Sequence, residues 1–292
     1  RGDTSDRTTL GKNRSRPATQ TTGSAKRKLP DIPVEHPTTN PRTKTTIPVS
    51  RYGKRNIGNP IEAEYIMRMS YTTSEIARII KAEKSAPFTD YTLSALLTDS
   101  RSLTFPDETL FFALITERND GHRYIEELYQ KGVRNFVIEH QVEHQKQMGD
   151  ANFLMVKDTL AALQALAAYH RRQFNIPVIG ITGSNGKTTV KEWLYQLLQP
   201  NFNIVRSPRS YNSQIGVPLS VWQMNEKTEL AIFEAGISQP DEMQKLENII
   251  KPTIGVITNI GEAHQEGFQT IQQKCMEKLS LLEGCECIIY NS

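Results

Sequence analysis

Long hydrophobic runs are missing from the sequence. Of its 292 residues, 37% are hydrophobic and 23% are charged, and no stretch approaches the roughly 18 to 20 uninterrupted apolar residues of a membrane span. The first sixty residues also lack the apolar core of a signal peptide. Both absences indicate a soluble, cytoplasmic protein without a membrane partner.

Cysteine is scarce and is confined to one end of the chain. The only three cysteines are Cys275, Cys285 and Cys287. Their number is odd and their spacing lacks the pairs of a zinc site, so reduced thiols are expected. The sequence therefore supports neither a disulfide scaffold nor a structural metal knuckle.

Basic charge is concentrated at the front of the chain. Residues 1–68 contain 14 Lys and Arg against 6 Asp and Glu, whereas the rest contains 21 against 26. The front segment is rich in Thr, Ser and Pro and has neither helical nor strand periodicity, so we expect it to be disordered. Because its basic residues lack interleaved aromatics, a solvated tail or upstream read-through is favoured over an arm for nucleic acid or anionic lipid. We predict no nucleic-acid partner.

Strand and helix patterns alternate from Met69 onward, where the first domain is expected to begin. Thr72 and Glu75 have the spacing of a capping box, and apolar residues recur behind them at helical spacing. The pattern predicts strands over 110–115 and 136–138 and helices over 122–130 and 159–172. Such alternation is typical of α/β proteins. We therefore predict a small α/β domain over 69–174, with a boundary near Pro177.

The second predicted domain, 175–292, shows the same alternation. Strands are predicted over 178–182, 230–234, 253–258 and 287–290, and helices over 187–199, 241–250 and 270–282. Right-handed crossovers between them would give a mainly parallel, doubly wound sheet. Ligands of such sheets bind beyond the carboxyl ends of the strands.

A phosphate-binding loop is predicted between the first strand and helix of this second domain. The segment reads Gly180-Ile-Thr-Gly-Ser-Asn-Gly-Lys-Thr-Thr189, although Ile181 stands where the common pattern has its first glycine. Lys187 would neutralise phosphate charge, and the Thr188 hydroxyl would hold Mg²⁺. The predicted nucleotide-binding residues are Gly183, Ser184, Asn185, Gly186, Lys187, Thr188 and Thr189. The alternative is a plain glycine turn that caps a helix.

Polar residues follow two further predicted strands. Glu234 ends an apolar strand and could ligate Mg²⁺. His264 follows the strand over 253–258 and is a second candidate ligand, although a lone histidine is more often structural. These residues extend the predicted site along one edge of the sheet.

Several segments together resemble the Mur ligase family. The loop 182–189 resembles the family's ATP-binding loop, which also lacks the first glycine of the common pattern. The other matching segments are Thr98-Asp-Ser-Arg101, Leu110-Phe-Phe-Ala-Leu114, Asp120-Gly-His122, Tyr211-Asn-Ser-Gln-Ile-Gly-Val-Pro-Leu219, Glu234-Ala-Gly-Ile-Ser238 and Thr258-Asn-Ile-Gly-Glu-Ala-His-Gln-Glu-Gly-Phe268. The segments before residue 123 look like the UDP-substrate domain of the later ligases. The resemblance is strongest to the member that adds D-alanyl-D-alanine, and it covers Met69 to Ser292.

The resemblance implies an ATP- and Mg²⁺-dependent peptide ligase. It would join D-alanyl-D-alanine to UDP-N-acetylmuramoyl-tripeptide through an acyl phosphate. It assigns catalysis to Lys187, His264 and Lys278, with Lys278 carbamylated by CO₂ and Lys274 as the alternative. The metal would be held by Thr188, Glu234 and His264. The substrate residues it implies are Ser100, Arg101, Asn119, Asp120, His122 and Asn212.

Other readings of the sequence stay open. Another Mur-type ligase, either tripeptide-forming or a folate polyglutamate ligase, shares the ATP-binding domain, and a noncatalytic nucleotide-binding protein is a further alternative. Members of the family continue into a third domain, and some are fused to a racemase. We therefore expect the 292-residue chain alone to bind nucleotide or UDP-precursor weakly at best and to form no amide bond.

Overall fold

The computed structural model describes residues 69–261 and 267–291. The front segment 1–68, for which the sequence predicts disorder, lies outside the described residues, and so does His264. Within the described ranges, no helix has the length and apolar character needed to cross a membrane.

The first part of the chain forms a five-stranded sheet and two small strand pairs. Its strands are β1 (Tyr71–Thr72), β2 (Glu83–Lys84), β3 (Thr92–Leu93), β4 (Ala95–Leu97), β5 (Thr109–Phe112), β6 (Ile115–Thr116), β7 (Asn119–Asp120), β8 (Asn135–Ile138) and β9 (Asn152–Met155). The sheet has the order β2-β9-β8-β5-β4, and its pairs are parallel except for β2 with β9. β1 pairs with β3, and β6 forms a hairpin with β7. The central strands β5 and β8 are buried throughout, as expected for a parallel sheet covered on both faces.

Helices cover both faces of this first sheet. They are α1 (Thr73–Ile79), α2 (Ile125–Gln130) and α3 (Thr159–Arg171). The predicted capping box is confirmed, because Thr72 and Glu75 bond reciprocally at the start of α1. Helix α3 begins after Asp158, whose carboxylate accepts a hydrogen bond from the Ala161 N–H. Helices α1 and α3 pack on one face, and α2 packs on the other.

The second part of the chain forms a parallel sheet. Its elements are β10 (Val178–Thr182), α4 (Lys187–Leu198), β11 (Ile204–Arg206), α5 (Gly216–Val221), β12 (Leu230–Glu234), α6 (Glu242–Ile250), β13 (Ile254–Ile257), α7 (Ile271–Leu279) and β14 (Cys287–Tyr290). The strand order is β11-β12-β10-β13-β14, and each of these pairs is parallel. Helix α4 packs on one face, while α5 and α6 pack on the other. The predicted α/β class with a doubly wound, mainly parallel sheet is confirmed.

Helix α3 contributes to the cores of both sheets. Leu163 and Leu166 pack with the first sheet, whereas Ala167 and Ala168 pack with the second. The Trp222 indole N–H, just after α5, donates to the Ser94 carbonyl over 2.9 Å. The two sheets are therefore joined by a shared helix and by direct contact.

Some predicted bounds differ from the structure. The predicted helix over 122–130 starts instead with a 3₁₀ turn over Gly121–Tyr124, and α2 follows at Ile125. The Asp120 carboxylate accepts the His122 N–H and caps this tighter turn. The predicted strand over 110–115 ends at Phe112, because the chain then turns into the β6–β7 hairpin. Strand β11 and helix α5 have no counterpart in the sequence prediction.

Candidate nucleotide and substrate site

The carboxyl ends of three neighbouring strands meet at one edge of the second sheet. Strand β10 lies between β12 and β13, with Ile181 paired to Glu234 and Thr182 paired to Ile257. The loops that follow these strands are therefore adjacent. This is the edge at which the sequence predicts a bound ligand.

The phosphate loop connects β10 to α4 through two glycines with positive φ. Gly183 has a φ of 140° and Gly186 one of 80°, a region that side chains disfavour. A Cβ atom on Gly183 would lie 2.0 Å from the Thr258 hydroxyl oxygen and 2.9 Å from the Asn259 carbonyl oxygen. Ile181 belongs to β10 and is fully buried in the core below the loop. The close approach that requires glycine thus occurs at Gly183.

The loop is bonded to the segment that follows β13. The Ser184 N–H donates to the Asn259 carbonyl over 2.8 Å, and the Asn185 N–H donates to the Asn259 side-chain oxygen over 2.9 Å. The Thr258 hydroxyl donates to the Asn185 carbonyl over 2.6 Å. These bonds fix the loop directly before the N-terminus of α4, where helical N–H groups favour phosphate.

Glu234 is fully buried at the end of β12, and its two carboxylate oxygens face different groups. Oε2 accepts a hydrogen bond from the Thr188 hydroxyl over 3.0 Å. Oε1 lies 2.9 Å from Lys191 Nζ, but no hydrogen bond of normal geometry reaches it from the described residues. A hydroxyl and a carboxylate are the oxygen donors that Mg²⁺ prefers. Thr188 and the Oε2 side of Glu234 therefore provide the donor types of a magnesium site, while Oε1 faces the Lys191 ammonium.

Two lysines converge on the phosphate loop. Lys187 Nζ donates to the Gly183 carbonyl over 2.9 Å, and Lys278 Nζ donates to the same carbonyl over 3.2 Å. Burial, together with the charges of Lys187 and Lys274, lowers the pKa of Lys278 to about 8. Burial also lowers the pKa of Lys187. The arrangement concentrates positive charge where the anionic phosphates of a nucleotide would bind.

A cavity of about 710 Å³ opens beside these lysines and is lined by both parts of the chain. Lys187, Lys278 and Asn212, all predicted site residues, line it. Thr116 and Glu117 reach it from the β6–β7 hairpin, which belongs to the first part of the chain. The structure thus brings the phosphate loop and this hairpin to a single cavity.

The two predicted substrate residues near β4 lie elsewhere. Ser100 is buried, and the Arg101 side chain is 87% exposed and forms an ion pair with Asp99 over 2.6 Å. The described residues that line the 710 Å³ cavity include neither of them. Their assignment to the UDP-sugar stays a prediction.

Asn119 and Asp120 form β7 of the β6–β7 hairpin, and His122 lies in the 3₁₀ turn that follows it. His122 is buried, and its Nδ1 lies 2.6 Å from an Asp120 carboxylate oxygen. Its Nε2 accepts the Glu139 N–H over 3.0 Å. Asn119 accepts from the Tyr124 hydroxyl over 3.3 Å. These bonds fix β7 and therefore the hairpin, whose residues Thr116 and Glu117 reach the cavity.

A group of potential metal ligands lies beside this hairpin. One ligand atom each from Asp120, His122 and His140 lies within 4.8 Å of the others. Both ring nitrogens of His122 are already engaged within the protein. A metal ion would have to displace one of those bonds, so the geometry favours a structural role for the group.

The structure also brings in residues that the sequence analysis missed. Lys191 has a weak signal, because it stands three residues after Thr188 and thus on the same helix face. Glu242 lines the cavity without any sequence signal, whereas Gln214, which also lines it, lies in the segment 211–219 that resembles the family. Thr189 is exposed on α4. The predicted ligand His264 lies in the undescribed range and stays a prediction.

Comparison with known proteins identifies the second sheet. Residues 181–292 match the family model of the Mur ligase middle domain. The UDP-N-acetylmuramoyl-tripeptide–D-alanyl-D-alanine ligase of Bacillus subtilis is 34% identical over 214 residues, which are 73% of this chain and 46% of the relative. The ligase of the same name from Synechocystis is 40% identical over 177 residues, 60% of this chain and 38% of the relative. The chain thus spans less than half the length of these relatives.

Solved structures give the same result. MurF of Acinetobacter baumannii superposes with a TM-score of 0.69 at 26% identity, covering 76% of this chain and 49% of that one. MurF of Thermotoga maritima in complex with ADP superposes with a TM-score of 0.59 at 27% identity, covering 67% of this chain and 45% of that one. The middle domain matches the family model, the phosphate loop is present, and both sheets share the architecture of these structures. The chain therefore belongs to the Mur ligase family.

Proposed function

We propose that the protein is an ATP-dependent ligase that joins D-alanyl-D-alanine to UDP-N-acetylmuramoyl-tripeptide in peptidoglycan precursor synthesis. The observation that carries this proposal is the 710 Å³ cavity, which Lys187 and Lys278 line together with the β6–β7 hairpin of the first part of the chain. A nucleotide on the phosphate loop would there meet a substrate held by that part of the chain. The relatives named for this reaction support the choice of substrates.

The reaction transfers a phosphoryl group before it forms the amide. The tripeptide carboxylate attacks the γ-phosphorus, the bond to the β-phosphate oxygen breaks, and ADP leaves an acyl phosphate behind. The amine of D-alanyl-D-alanine then attacks the acyl carbon, loses a proton and expels phosphate. Because the attacking carboxylate is repelled by phosphate oxygens, the site must neutralise and align them. Lys187, at the N-terminus of α4, supplies that positive charge.

Mg²⁺ is included in the proposal because the residues present fit it. Thr188 and Glu234 would hold the ion, and His264 remains a candidate third ligand. When bound, Mg²⁺ supplies charge neutralisation on the phosphate oxygens. The buried contact between Glu234 and Thr188 fixes the donor atoms before any ligand arrives.

Lys278 is proposed to act as a carbamate. Its Nζ lone pair would attack the carbon of CO₂, a carbon–oxygen π bond would open, and the nitrogen would lose a proton. This requires a neutral amine, and the pKa of about 8 makes an appreciable fraction neutral near pH 7. The product is an anionic group beside the phosphate loop, where it could orient a metal ion.

We propose residues 69–174 as the UDP-substrate domain and residues 175–292 as the ATP-binding domain. The two sheets and the family match over 181–292 support this division, with α3 shared between the two cores. A cytoplasmic location, where ATP and UDP-linked precursors occur, and the absence of a nucleic-acid partner complete the proposal.

The test is a ligation assay with the natural protein that contains this 292-residue chain, called the full-length protein below. It is incubated with ATP, Mg²⁺, UDP-N-acetylmuramoyl-tripeptide and D-alanyl-D-alanine, and the UDP-linked pentapeptide is sought by mass spectrometry. Parallel reactions contain folate with glutamate, or omit D-alanyl-D-alanine. We expect pentapeptide and equimolar phosphate in the complete reaction alone. Folate ligation without pentapeptide, or nucleotide binding without either product, would overturn the proposal.

A further inference from the structure

Lys191 is a lysine with no exposed side-chain surface. It lies one turn into α4, and its Nζ donates to the Ser207 carbonyl over 2.7 Å and to the Arg209 carbonyl. An ammonium group has three protons to donate. Two of them are therefore used to hold the segment that follows β11.

The remaining side of the ammonium faces carboxylates. Glu234 Oε1 lies 2.9 Å away and is fully buried, and Glu192 Oε1 lies 3.2 Å away on a side chain that is 35% exposed. A buried charge without a counter-ion is unstable. Among the described residues, Lys191 is the cation that lies within 4.0 Å of the buried Glu234 carboxylate.

Glu234 is held at its backbone as well as at its carboxylate. Its N–H donates to the Ser207 hydroxyl over 3.1 Å, and the Ser207 carbonyl accepts from Lys191. Thr188, three residues before Lys191 and on the same helix face, donates to the other carboxylate oxygen. One face of α4 thus contacts both oxygens of Glu234 and fixes the plane of the carboxylate.

We propose that Lys191 is a positioning residue of the nucleotide site, which holds Glu234 so that a divalent cation and a nucleotide bind together. This inference rests on the nucleotide-binding part of the proposed function and is independent of which acid and amine are ligated. Without Lys191, the buried carboxylate would lose its ion-pair partner and would turn away from Thr188. This response removes a fixed ligand from the cation.

A purely structural ion pair would behave differently. Its loss would lower thermal stability and would weaken nucleotide binding to the same degree with and without metal. The positioning role predicts that only the gain in nucleotide affinity caused by the metal is lost, while the affinity without metal is kept. A double-mutant cycle with Glu234 separates the two cases, because a residue that acts through Glu234 has no effect once Glu234 is neutral.

The experiment measures ADP affinity calorimetrically for the 292-residue chain, once in EDTA and once with Mn²⁺. The variants are Lys191→Met, Glu234→Gln and the double variant, with the exposed Lys245→Met on α6 as the matched control. We expect Mn²⁺ to strengthen ADP binding to the wild type and to the control. In Lys191→Met, the increase in ADP affinity caused by Mn²⁺ should be about tenfold smaller than in the wild type. Its ADP affinity in EDTA should change by less than about threefold. In the Glu234→Gln background, Lys191→Met should cause no further change.

Several results would overturn the inference. They are a full Mn²⁺ effect in Lys191→Met, an equal loss in EDTA and in Mn²⁺, or additive losses in the double variant. If Lys191→Met does not fold, the double variant, which removes both partners of the pair, decides by comparison with Glu234→Gln alone. A wild type without any Mn²⁺ effect refutes both this inference and the proposed magnesium site. If the double-mutant cycle gives the expected affinities but the ligation assay yields no product, only the assigned substrates are refuted.

Discussion

Lys187 is the side chain on which the proposed nucleotide site depends most directly. We predict that Lys187→Ala lowers ADP affinity at least tenfold, because the phosphates lose the cation at the N-terminus of α4. The fold should persist, since Lys187 bonds only to carbonyls of its own loop among the described residues. Calorimetric titration and a thermal melt measure the two effects. Lys245→Ala, at an exposed position of α6, serves as control, and an unchanged ADP affinity in Lys187→Ala would refute the loop assignment.

Lys278 and Lys274 stand one turn apart on α7, and both are buried. Lys278 bonds to the phosphate-loop carbonyl of Gly183, whereas Lys274 donates to the Gly261 carbonyl over 2.8 Å. We predict that Lys278→Ala lowers ligation by the full-length protein about a hundredfold. Added short carboxylates should partly restore it by occupying the vacated anionic position, and Lys274→Ala should show no such rescue. Normal turnover in Lys278→Ala combined with a loss in Lys274→Ala would reverse the assignment.

Helix α3 carries a buried histidine that makes stability depend on pH. His170 Nδ1 lies 2.8 Å from the Tyr71 hydroxyl, and its Nε2 lies 3.0 Å from the Met224 carbonyl. Burial lowers the pKa of His170 from 6.5 to about 4. The folded protein therefore keeps this imidazole neutral, while the unfolded chain takes up a proton as the pH falls below 6.5. Its contribution is fully present above that pH and is lost progressively towards pH 4.

We predict that His170 alone costs about 2 kcal/mol of unfolding free energy between pH 8 and pH 5. Urea unfolding of the wild type and of His170→Gln at both pH values isolates this share, because other titrating groups are common to the two proteins. The wild type should lose more stability than the variant over this interval. An equal loss in both would show that His170 is not the responsible group.

The C-terminus of α6 is held by an arginine of α3. Arg171 is buried, and its guanidinium donates to the carbonyls of Ile250 (2.8 Å), Lys251 (3.1 Å) and Phe174 (2.8 Å). We predict that Arg171→Met lowers the free energy of unfolding by about 2 to 3 kcal/mol, because buried carbonyls lose their partners. Denaturant unfolding measures the change. The exposed neighbour provides the control, since Arg172→Met should shift stability by less than about 0.5 kcal/mol.

For the whole chain, we predict that removal of residues 1–68 leaves the melting temperature nearly unchanged. The composition of that segment offers few apolar side chains to a core. Calorimetric melting of the 292-residue protein and of a form that begins at Met69 tests this. A large decrease in the shorter form would mean that the segment packs against the rest.

Periodicity and capping signals suffice to predict most of the second sheet. The bounds of β10, Val178–Thr182, and of β12, Leu230–Glu234, agree with the sequence prediction. Helix α5, Gly216–Val221, is too short to show a helical period and contains a proline, which is tolerated only near the helix start. The three-residue strand β11 is equally short.

The site was only partly predictable for a different reason. The phosphate loop is a local pattern, so its glycines and Lys187 are visible in the sequence. The partners of Lys191 come from three separate segments, and no local pattern predicts that the Ser207 and Arg209 carbonyls surround its ammonium. The contact of Lys278 with Gly183 spans 95 residues and depends on how α7 packs against the sheet.

The sharing of core between the two sheets has a consequence for synthesis on the ribosome. The core of the first sheet includes Ile215, Leu219 and Trp222, which come from the segment around α5. Translation therefore completes every strand of that sheet well before the last part of its apolar cover has been made. Part of that face of the nascent first sheet must stay uncovered while the phosphate loop and β11 emerge, and during this interval it is open to chaperones and to aggregation.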